Sequence, residues 1–143
     1  MNTKNLILGG GGGHCKSVID VAESSGYNIL GILDMPEDVG KSVLDYKVVG
    51  TDDDIPQYVD IAEFVITVGF IKKPSVRIKL YNRIKEAGGK LATIVASTAY
   101  VSKYATIGEG TVVMHRAVIC AGSRIGKNCI INTMVDVDHG VIV

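Results

Sequence analysis

The last part of the chain has a six-residue repeat. Stepping back from the last residue in sixes, nine of nine positions hold a β-branched aliphatic residue. These positions are Val95, Val101, Ile107, Val113, Ile119, Ile125, Ile131, Val137 and Val143. A period of six matches neither an amphipathic helix nor strands that alternate in twos. It is typical of a parallel β-helix, in which three hexads close a triangular coil and the repeated aliphatic side chain points inward.

Glycines and the end of the repeat add two expectations. Gly108 and Gly126 each follow a repeat aliphatic, where we expect a turn residue with positive φ. The repeat reaches Val143 without the atypical capping repeat that covers the end of most solenoids. We therefore expect a C-terminally truncated β-helix with fewer than three full coils, and poor activity from this chain alone.

The beginning of the chain has a different pattern. Residues 6–8 are predicted to form a buried strand, and the glycine run at residues 9–13 is predicted to form a turn. Residues 16–25 are predicted to form a helix, and residues 29–33 a second strand. This succession of elements is a βαβ unit.

A further strand and helix precede the repeat. Residues 64–68 are predicted to form a strand and residues 74–87 a helix. The predicted apolar stripe of this helix is formed by Val76, Leu80, Ile84 and Ala87. The predicted fold is therefore a Rossmann-like α/β domain over residues 1–90, followed by an incomplete parallel β-helix over residues 91–143.

Charge and cysteine content exclude several classes of function. The sequence has 15 Lys and Arg against 15 Asp and Glu, so it lacks the excess positive charge on which nucleic-acid binding relies. No apolar run approaches ~18 residues, which predicts that the chain has no membrane span. Three cysteines without paired spacing predict neither a disulfide framework nor a metal site, and they favour a cytoplasmic location.

The glycine run is the candidate ligand-binding motif of the first domain. Glycines between a strand and a helix let phosphates approach the backbone, and Asp34 ends the next strand, where its carboxylate can accept hydroxyl donors. The dinucleotide pattern G-x-G-x-x-G is incomplete, because His14, Cys15 or Lys16 stands at its third glycine in every frame. Three interpretations stay open: a nucleotide or nucleotide-sugar site, an NAD site, and a purely structural turn.

Several short motifs occur together along the chain. They are the glycine run ending at His14, then Asp34, Val68-Gly69, Pro74-Ser75-Val76-Arg77, Asn132-Thr133 and Val137-Asp138-His139. With the hexads, they resemble the NeuD/PglD-type sugar acetyltransferases. This family comprises sialic acid O-acetyltransferases and N-acetyltransferases of nucleotide-linked amino sugars, built with a left-handed β-helix of hexapeptide repeats.

The resemblance implies an acetyl-CoA-dependent enzyme that acts on a nucleotide-linked amino sugar or sialic acid. It also implies a homotrimer, with active sites between neighbouring β-helices. For catalysis it implies His139 as the general base, with Asp138 and Asn132 in the same site. For substrate binding it implies Gly11, Gly12, Gly13, His14, Asp34, Gly69 and Arg77.

The chemistry of acetyl transfer suits a histidine at position 139. An attacking amine or hydroxyl must lose a proton as it adds to a thioester, and imidazole, with an ordinary pKa of ~6.5, accepts protons at neutral pH. The hexad position of His139 predicts an outward-pointing ring, which would face a neighbouring subunit. His115 shares that hexad position, so we expect His115 to be a structural or surface residue.

Two alternatives stay open at this point. The family commonly has an acidic residue directly after the catalytic histidine, whereas this chain has Gly140 there. The carboxylate that orients the imidazole is therefore either Asp136 or Asp138. The competing function is a non-catalytic nucleotide-sugar-binding or trimeric scaffold module. Loss of acetyl transfer with retained nucleotide-sugar binding would distinguish this module from an enzyme.

Overall fold

The computed structural model of the chain describes residues 4–68 and 74–143. Five strands near the N-terminus form one sheet in the order β3-β4-β2-β1-β5. Their bounds are Asn5–Gly9 (β1), Asn28–Leu33 (β2), Ser42–Val43 (β3), Tyr46–Gly50 (β4) and Glu63–Ile66 (β5). Strands β4, β2, β1 and β5 are parallel, and β3 pairs antiparallel with β4 at the edge. Strands β1 and β5 consist largely of buried aliphatic or aromatic residues, as is typical of parallel strands covered on both faces.

Two helices cover this sheet. Helix α1 spans Gly13–Ser24 and α2 spans Pro74–Glu86, while short 3₁₀-helices occur at Pro36–Asp38 and Asp52–Gln57. The predicted strand-helix-strand unit is present, but the sequence did not predict the β3–β4 hairpin.

The predicted stripe of α2 is wrong at one position. Val76 is 39% exposed, whereas its neighbour Arg77 is fully buried and lies on the same side as buried Leu80 and Ile84. A side chain with polar donors therefore occupies the buried face of α2, where the hydrophobic pattern predicted an aliphatic one. The functional significance of this exchange depends on the partners of Arg77.

The hexads form a parallel β-helix, as predicted. Its strands are Ile94–Val95 (β6), Tyr100–Val101 (β7), Thr106–Ile107 (β8), Val112–Val113 (β9), Val118–Ile119 (β10), Arg124–Ile125 (β11), Ile130–Ile131 (β12) and Asp136–Val137 (β13). They stack into three parallel faces, β6-β9-β12, β7-β10-β13 and β8-β11. Each residue pairs with the residue 18 positions away, as Val112 does with both Ile94 and Ile130. One coil therefore consists of three hexads.

The repeated aliphatic residues fill the interior of the coils. Val113, Ile119, Ile125, Ile131 and Val137 are buried together with Ala117 in one core cluster. The repeat residues of the first coil, Val95, Val101 and Ile107, are partly buried against the same cluster. The inward direction predicted for this series is confirmed.

The turns of the coils are also periodic, but not at the glycines that we expected. Positive φ occurs at every sixth residue, and these residues are Gly110, Arg116, Gly122, Asn128, Met134 and Gly140. Gly108 and Gly126 are not among them, so the expectation of positive φ at these two glycines was wrong. Gly108 is small for a different reason, because a Cβ atom there would lie 2.6 Å from the carbonyl carbon of Gly126 in the next coil.

The β-helix and the α/β part share one core. Buried residues of α1 and of the central sheet form a cluster with Ala92, Ile94, Ala96, Val112 and Met114, so α1 covers the β6-β9-β12 face. Helix α2 contacts the coil turns through polar side chains. Neither α1 nor α2, nor any other helix in residues 4–68 and 74–143, is long and apolar enough to cross a membrane.

Candidate functional site

A cavity of about 460 Å³ opens at the carboxyl ends of β1 and β2. In the sheet, β2 and β4 lie on one side of β1, and β5 lies on the other side. The strand order therefore reverses between β1 and β5. Ligands of open α/β sheets bind at such a switch point. The volume is also within the usual range of ~300–1,000 Å³ for small-molecule sites. This cavity is therefore the candidate nucleotide site.

The glycine run forms the floor of the cavity. Gly9 and Gly10 both line it, and Gly10 has a φ of +124°. A Cβ atom on Gly10 would lie 2.7 Å from Cγ2 of Val68, so the close approach of the two loops requires glycine. The Gly10 amide donates to the Leu33 carbonyl over 2.9 Å, which fixes the floor to the end of β2.

Asp34 lines the cavity at the end of β2 and lies against the same loop. A Cβ atom on Gly11 would lie 2.6 Å from Oδ2 of Asp34, so the carboxylate occupies the space that a side chain at position 11 would take. The main-chain amide of Asp34 donates to the Gly50 carbonyl over 3.0 Å. The half-buried carboxylate is thereby held at the mouth of the cavity, where it can accept hydroxyl or amide donors.

The N-terminus of α1 lies beside this carboxylate. Gly12 is the N-cap residue; its position supplies no side-chain cap, and the first turn carries no acidic residue. Gly12 and Gly13 have no other atom within 4 Å of their ideal Cβ positions, so their surroundings are open. Free amides at a helix N-terminus favour anions, which suits the phosphates of a nucleotide.

Three further charged residues line the cavity, and none of them was predicted from the sequence. Asp52 follows β4, while Lys79 and Arg83 lie one turn apart on α2. Burial raises the pKa of Asp52 against the opposing effect of Arg83, and the carboxylates of Asp34 and Asp53 raise it further. The i, i+4 spacing of Lys79 and Arg83 and the position of Asp52 after a strand were the available signals.

Of the other residues predicted to bind substrate, five are not among the described residues that line the cavity: Gly11, Gly12, Gly13, His14 and Arg77. The ring of His14 is half-buried, and its Nε2 atom is buried without a hydrogen-bond partner among the described residues. Burial and the positive charge of Arg77 lower the pKa of His14. Gly69 lies outside the described residues.

Arg77 is buried behind the cavity wall rather than exposed in it. Its Nη1 donates to the carbonyls of Ile66 at 3.2 Å and Val68 at 2.6 Å. Its Nη2 donates to Asn128, reaching the side-chain Oδ1 at 2.7 Å and the carbonyl at 3.2 Å. Burial lowers the pKa of Arg77 to about 10, so the guanidinium is charged at neutral pH. These contacts place Arg77 between β5 and the coil.

The predicted catalytic residues lie on the third coil. The side chain of His139 is 86% exposed, and its Nδ1 lies 3.2 Å from Oδ1 of Asp138. The same Oδ1 accepts from the backbone amide of His139 at 2.9 Å, and these two contacts lower the pKa of Asp138. Asp136 instead accepts a long contact of 3.8 Å from Cys120. Asp138, and not Asp136, therefore contacts the imidazole.

Asn132 lies one hexad before Asp138 in the same coil. Its side chain is exposed, and its carbonyl accepts from the Val135 amide over 3.2 Å. The structure thus brings Asp138 and His139 together, whereas Asn132 contributes a backbone contact within its own turn.

His115 has a different environment from His139 although the hexad position is the same. Its Nδ1 lies 2.8 Å from the Thr98 hydroxyl, and its Nε2 lies 3.2 Å from Oδ2 of Asp20 on α1. Both ring nitrogens therefore have partners, and the ring of His115 connects Asp20 of α1 to the coil. Residues 4–68 and 74–143 contain no group of three or more His, Cys, Asp or Glu that could hold a metal ion.

Comparison with known families agrees with this arrangement. The family model for the PglD N-terminal domain matches residues 5–84, which include β1 to β5 and the cavity. The chain belongs to the NeuD/PglD-type family. The model for the bacterial transferase hexapeptide, six repeats, matches residues 104–135 of the β-helix.

Solved structures of similar proteins extend over almost the whole chain. The acetyltransferase domain of PglB from Neisseria gonorrhoeae, in complex with acetyl coenzyme A, is 30% identical with a TM-score of 0.87 over 99% of this chain and 67% of that one. PerB from Caulobacter crescentus, in complex with CoA and GDP-perosamine, is 31% identical with a TM-score of 0.85 over 96% of this chain and 64% of that one. The chain thus spans about two thirds of the length of these relatives.

Proposed function

We propose that this protein transfers an acetyl group from acetyl-CoA to a sugar, with a nucleotide-linked amino sugar as the preferred acceptor. The main support for the proposal is the cavity at the sheet's switch point. Gly10 lies on its floor, Asp34 lies at its mouth, and the uncapped N-terminus of α1 lies beside it. The relatives described above were solved with acetyl coenzyme A, or with CoA and a GDP-linked amino sugar. An acceptor hydroxyl, as in sialic acid, is the other chemistry within this proposal.

The cavity suits the nucleotide half of such an acceptor. Phosphates would lie toward the free amides at Gly12 and Gly13, with the Lys79 ammonium available as a counter-charge at the cavity wall. The Asp34 carboxylate would accept hydrogen bonds from ribose hydroxyls or from the base. Asp52, at the end of the neighbouring strand β4, adds a second acceptor. Burial raises the pKa of Asp52 and so disfavours its ionised form.

His139 would act as the general base on the acetyl acceptor. Its imidazole takes the proton that the sugar amine loses as nitrogen bonds to the thioester carbon. Collapse of the tetrahedral intermediate breaks the carbon–sulfur bond, and the departing thiolate of CoA takes up a proton. Asp138 contacts Nδ1, which leaves Nε2 free to accept the proton, since a carboxylate stabilises the tautomer with hydrogen on Nδ1.

We further propose a homotrimer of left-handed β-helices. The exposed ring of His139 is accessible to a neighbouring subunit, and Tyr100 and Val118 leave apolar surface on the outer side of the β7-β10-β13 face. The proposed domain limits are residues 1–90 for nucleotide-sugar binding and 91–143 for the β-helix. The structure changes close to this limit, since Leu91 still forms a bridge with Phe64 of β5 and the first coil strand begins at Ile94.

A non-catalytic binding module is the second candidate. It is favoured by one observation: every described residue that lines the cavity belongs to the α/β part, whereas His139 is exposed on the third coil. An enzyme requires the two to meet around one acceptor, and a binding module does not.

One assay separates the two candidates. The full-length protein is incubated with acetyl-CoA and one candidate acceptor at a time: GDP-perosamine, UDP-linked amino sugars, sialic acid or CMP-sialic acid. CoA thiol release and the mass of the sugar are then measured, and binding of each sugar is measured by calorimetry. An acetylated nucleotide-linked amino sugar supports the proposal. Binding of a nucleotide sugar without transfer supports the module.

A further inference from the structure

Two sides of helix α2 contact different parts of the molecule. Val76, Lys79 and Arg83 line the cavity. Arg77, Tyr81 and Lys85, spaced by four residues, contact the turns of the β-helix. Residues four apart share one side of a helix, so these three form a continuous polar stripe. Helix α2 therefore stands between the proposed nucleotide site and the coils.

Arg77 connects the cavity wall to the second coil. One end of its guanidinium donates to Val68, which lines the cavity, and the other end donates to Asn128. A fully buried guanidinium needs hydrogen bonds to offset its desolvation, so its acceptors are held at fixed positions. The planar fork of arginine makes such multiple bonds, which the point charge of lysine cannot reproduce.

The rest of the stripe is bound to the turn that pairs with Asn128. The Tyr81 hydroxyl donates to Oε1 of Glu109 at 2.7 Å, and Lys85 lies 3.1 Å from the same oxygen. The Asn128 amide in turn donates to the Glu109 carbonyl at 2.9 Å. The side-chain hydrogen bonds from Tyr81 and Lys85 lower the pKa of Glu109, so the carboxylate is ionised at neutral pH. Two stacked turns of the coil thus hold α2 at three points.

The identity of residue 128 is not explained by the turn alone. Five other coil residues share its positive φ, and these are Gly110, Arg116, Gly122, Met134 and Gly140. Glycine satisfies this backbone conformation without strain, and asparagine tolerates it. What distinguishes Asn128 is that its side-chain oxygen accepts from Arg77.

We propose that Arg77 and Asn128 are positioning residues that hold the α2 wall of the nucleotide cavity in register with the coils. This inference rests on the proposed function, because it assigns the register to binding of a nucleotide sugar. Through Val68 and α2, the cavity is fixed at a set distance from the β-helix that carries His139. A loosened Arg77–Asn128 contact therefore weakens nucleotide binding without removing any group that lines the cavity.

The test uses the Asn128→Gly variant, with Met134→Gly as its matched control. Glycine keeps the positive φ at both turns, and Met134 is 69% exposed. Hydrogen exchange of the amides in Pro74–Glu86 is followed by mass spectrometry, and affinities for GDP and UDP are measured by calorimetry. We expect Asn128→Gly to accelerate exchange in α2 and to weaken nucleotide binding roughly tenfold, within the usual range of coupling between sites. Met134→Gly should change neither.

The outcomes separate this inference from the proposed function. Unchanged α2 exchange in Asn128→Gly overturns the mechanical link. Faster exchange with unchanged nucleotide affinity overturns the positioning role and leaves a purely structural contact. If the wild type binds neither GDP nor UDP, the positioning role is overturned for nucleotides, while acetyl transfer to the sugar panel still tests the proposed function independently. Arg77→Lys, if it folds, should weaken binding as Asn128→Gly does.

Discussion

A Cβ atom on Gly11 would lie 2.6 Å from Oδ2 of Asp34, so the glycine loop and the end of β2 fit together because residue 11 has no side chain. A non-bonded carbon and oxygen do not approach so closely, and one of the two groups would have to move. The glycine run thus has a specific purpose at this position, which is to let a carboxylate stand beside the N-terminus of α1.

The first prediction follows from this contact. Gly11→Ala should displace the Asp34 carboxylate and weaken nucleotide-sugar binding about tenfold or more, because a charge-assisted hydrogen bond contributes ~1.5–3 kcal/mol. Gly126→Ala is the control, since Gly126 lies on the β-helix and is not among the described residues that line the cavity. Calorimetric titration of both variants with GDP and UDP checks the prediction. Equal affinities for the two variants would contradict it.

The second prediction concerns His139. In the full-length protein, His139→Ala should lower turnover ~10²- to 10⁴-fold and leave nucleotide binding nearly unchanged, because a general base acts on the transition state. Steady-state rates of CoA release, with calorimetry as the binding control, provide the measurement. Wild-type turnover in His139→Ala would remove the assignment.

The third prediction is a pH dependence of stability due to His14. Burial and Arg77 lower the pKa of His14 in the folded state. A lowered folded-state pKa means that its contribution to stability is full above the unfolded value of ~6.5 and is lost as pH falls through the folded value. Acid should therefore destabilise the wild type more than His14→Gln.

Urea unfolding at about pH 8 and about pH 5 checks this difference, since the free energy of unfolding follows the protons bound by each state. His139→Gln serves as the control, because its side chain is 86% exposed and should leave the pH dependence of the wild type intact. An identical loss of stability in His14→Gln and wild type would show that His14 is not the group responsible.

The fourth prediction tests coil stacking. A Cβ atom at Gly108 would lie 2.6 Å from the carbonyl carbon of Gly126, so Gly108→Ala should lower the free energy of unfolding by ~1–3 kcal/mol. At Gly126 the ideal Cβ position is 3.3 Å from the carbonyl oxygen of Val143, and Gly126→Ala should cost less. Thermal unfolding of both variants gives the comparison. A reversed order would contradict the stacking argument.

The β-helix was predictable from sequence because its period is local and its interior is apolar. Val113, Ile119 and Ile125 repeat every six residues, and one face of each strand is buried. The role of Gly108 was not predictable in this way, because the clash that excludes a side chain comes from the next coil, 18 residues along the chain. The sequence pattern therefore predicted a positive φ at Gly108, whereas the close approach of the next coil is what requires glycine there.

The candidate site was predictable in part. Asp34 was identified because it ends a strand next to the glycine run, and strand ends meet at one edge of a parallel sheet. Lys79 and Arg83 were missed because their location depends on how α2 is rotated over the sheet. Arg77, Leu80 and Ile84 form the buried side of α2, and a hydrophobic pattern assigns a charged residue such as Arg77 to the surface.

Calorimetric titration of the chain with GDP-perosamine, UDP-linked amino sugars and CMP-sialic acid, and with NAD as the competing class of ligand, tests the nucleotide-sugar site most directly. We expect one of the nucleotide sugars to saturate a single site per chain, and Asp34→Ala to weaken this binding about tenfold or more while the protein remains folded. Tight NAD binding, or no binding of any nucleotide sugar, would contradict it.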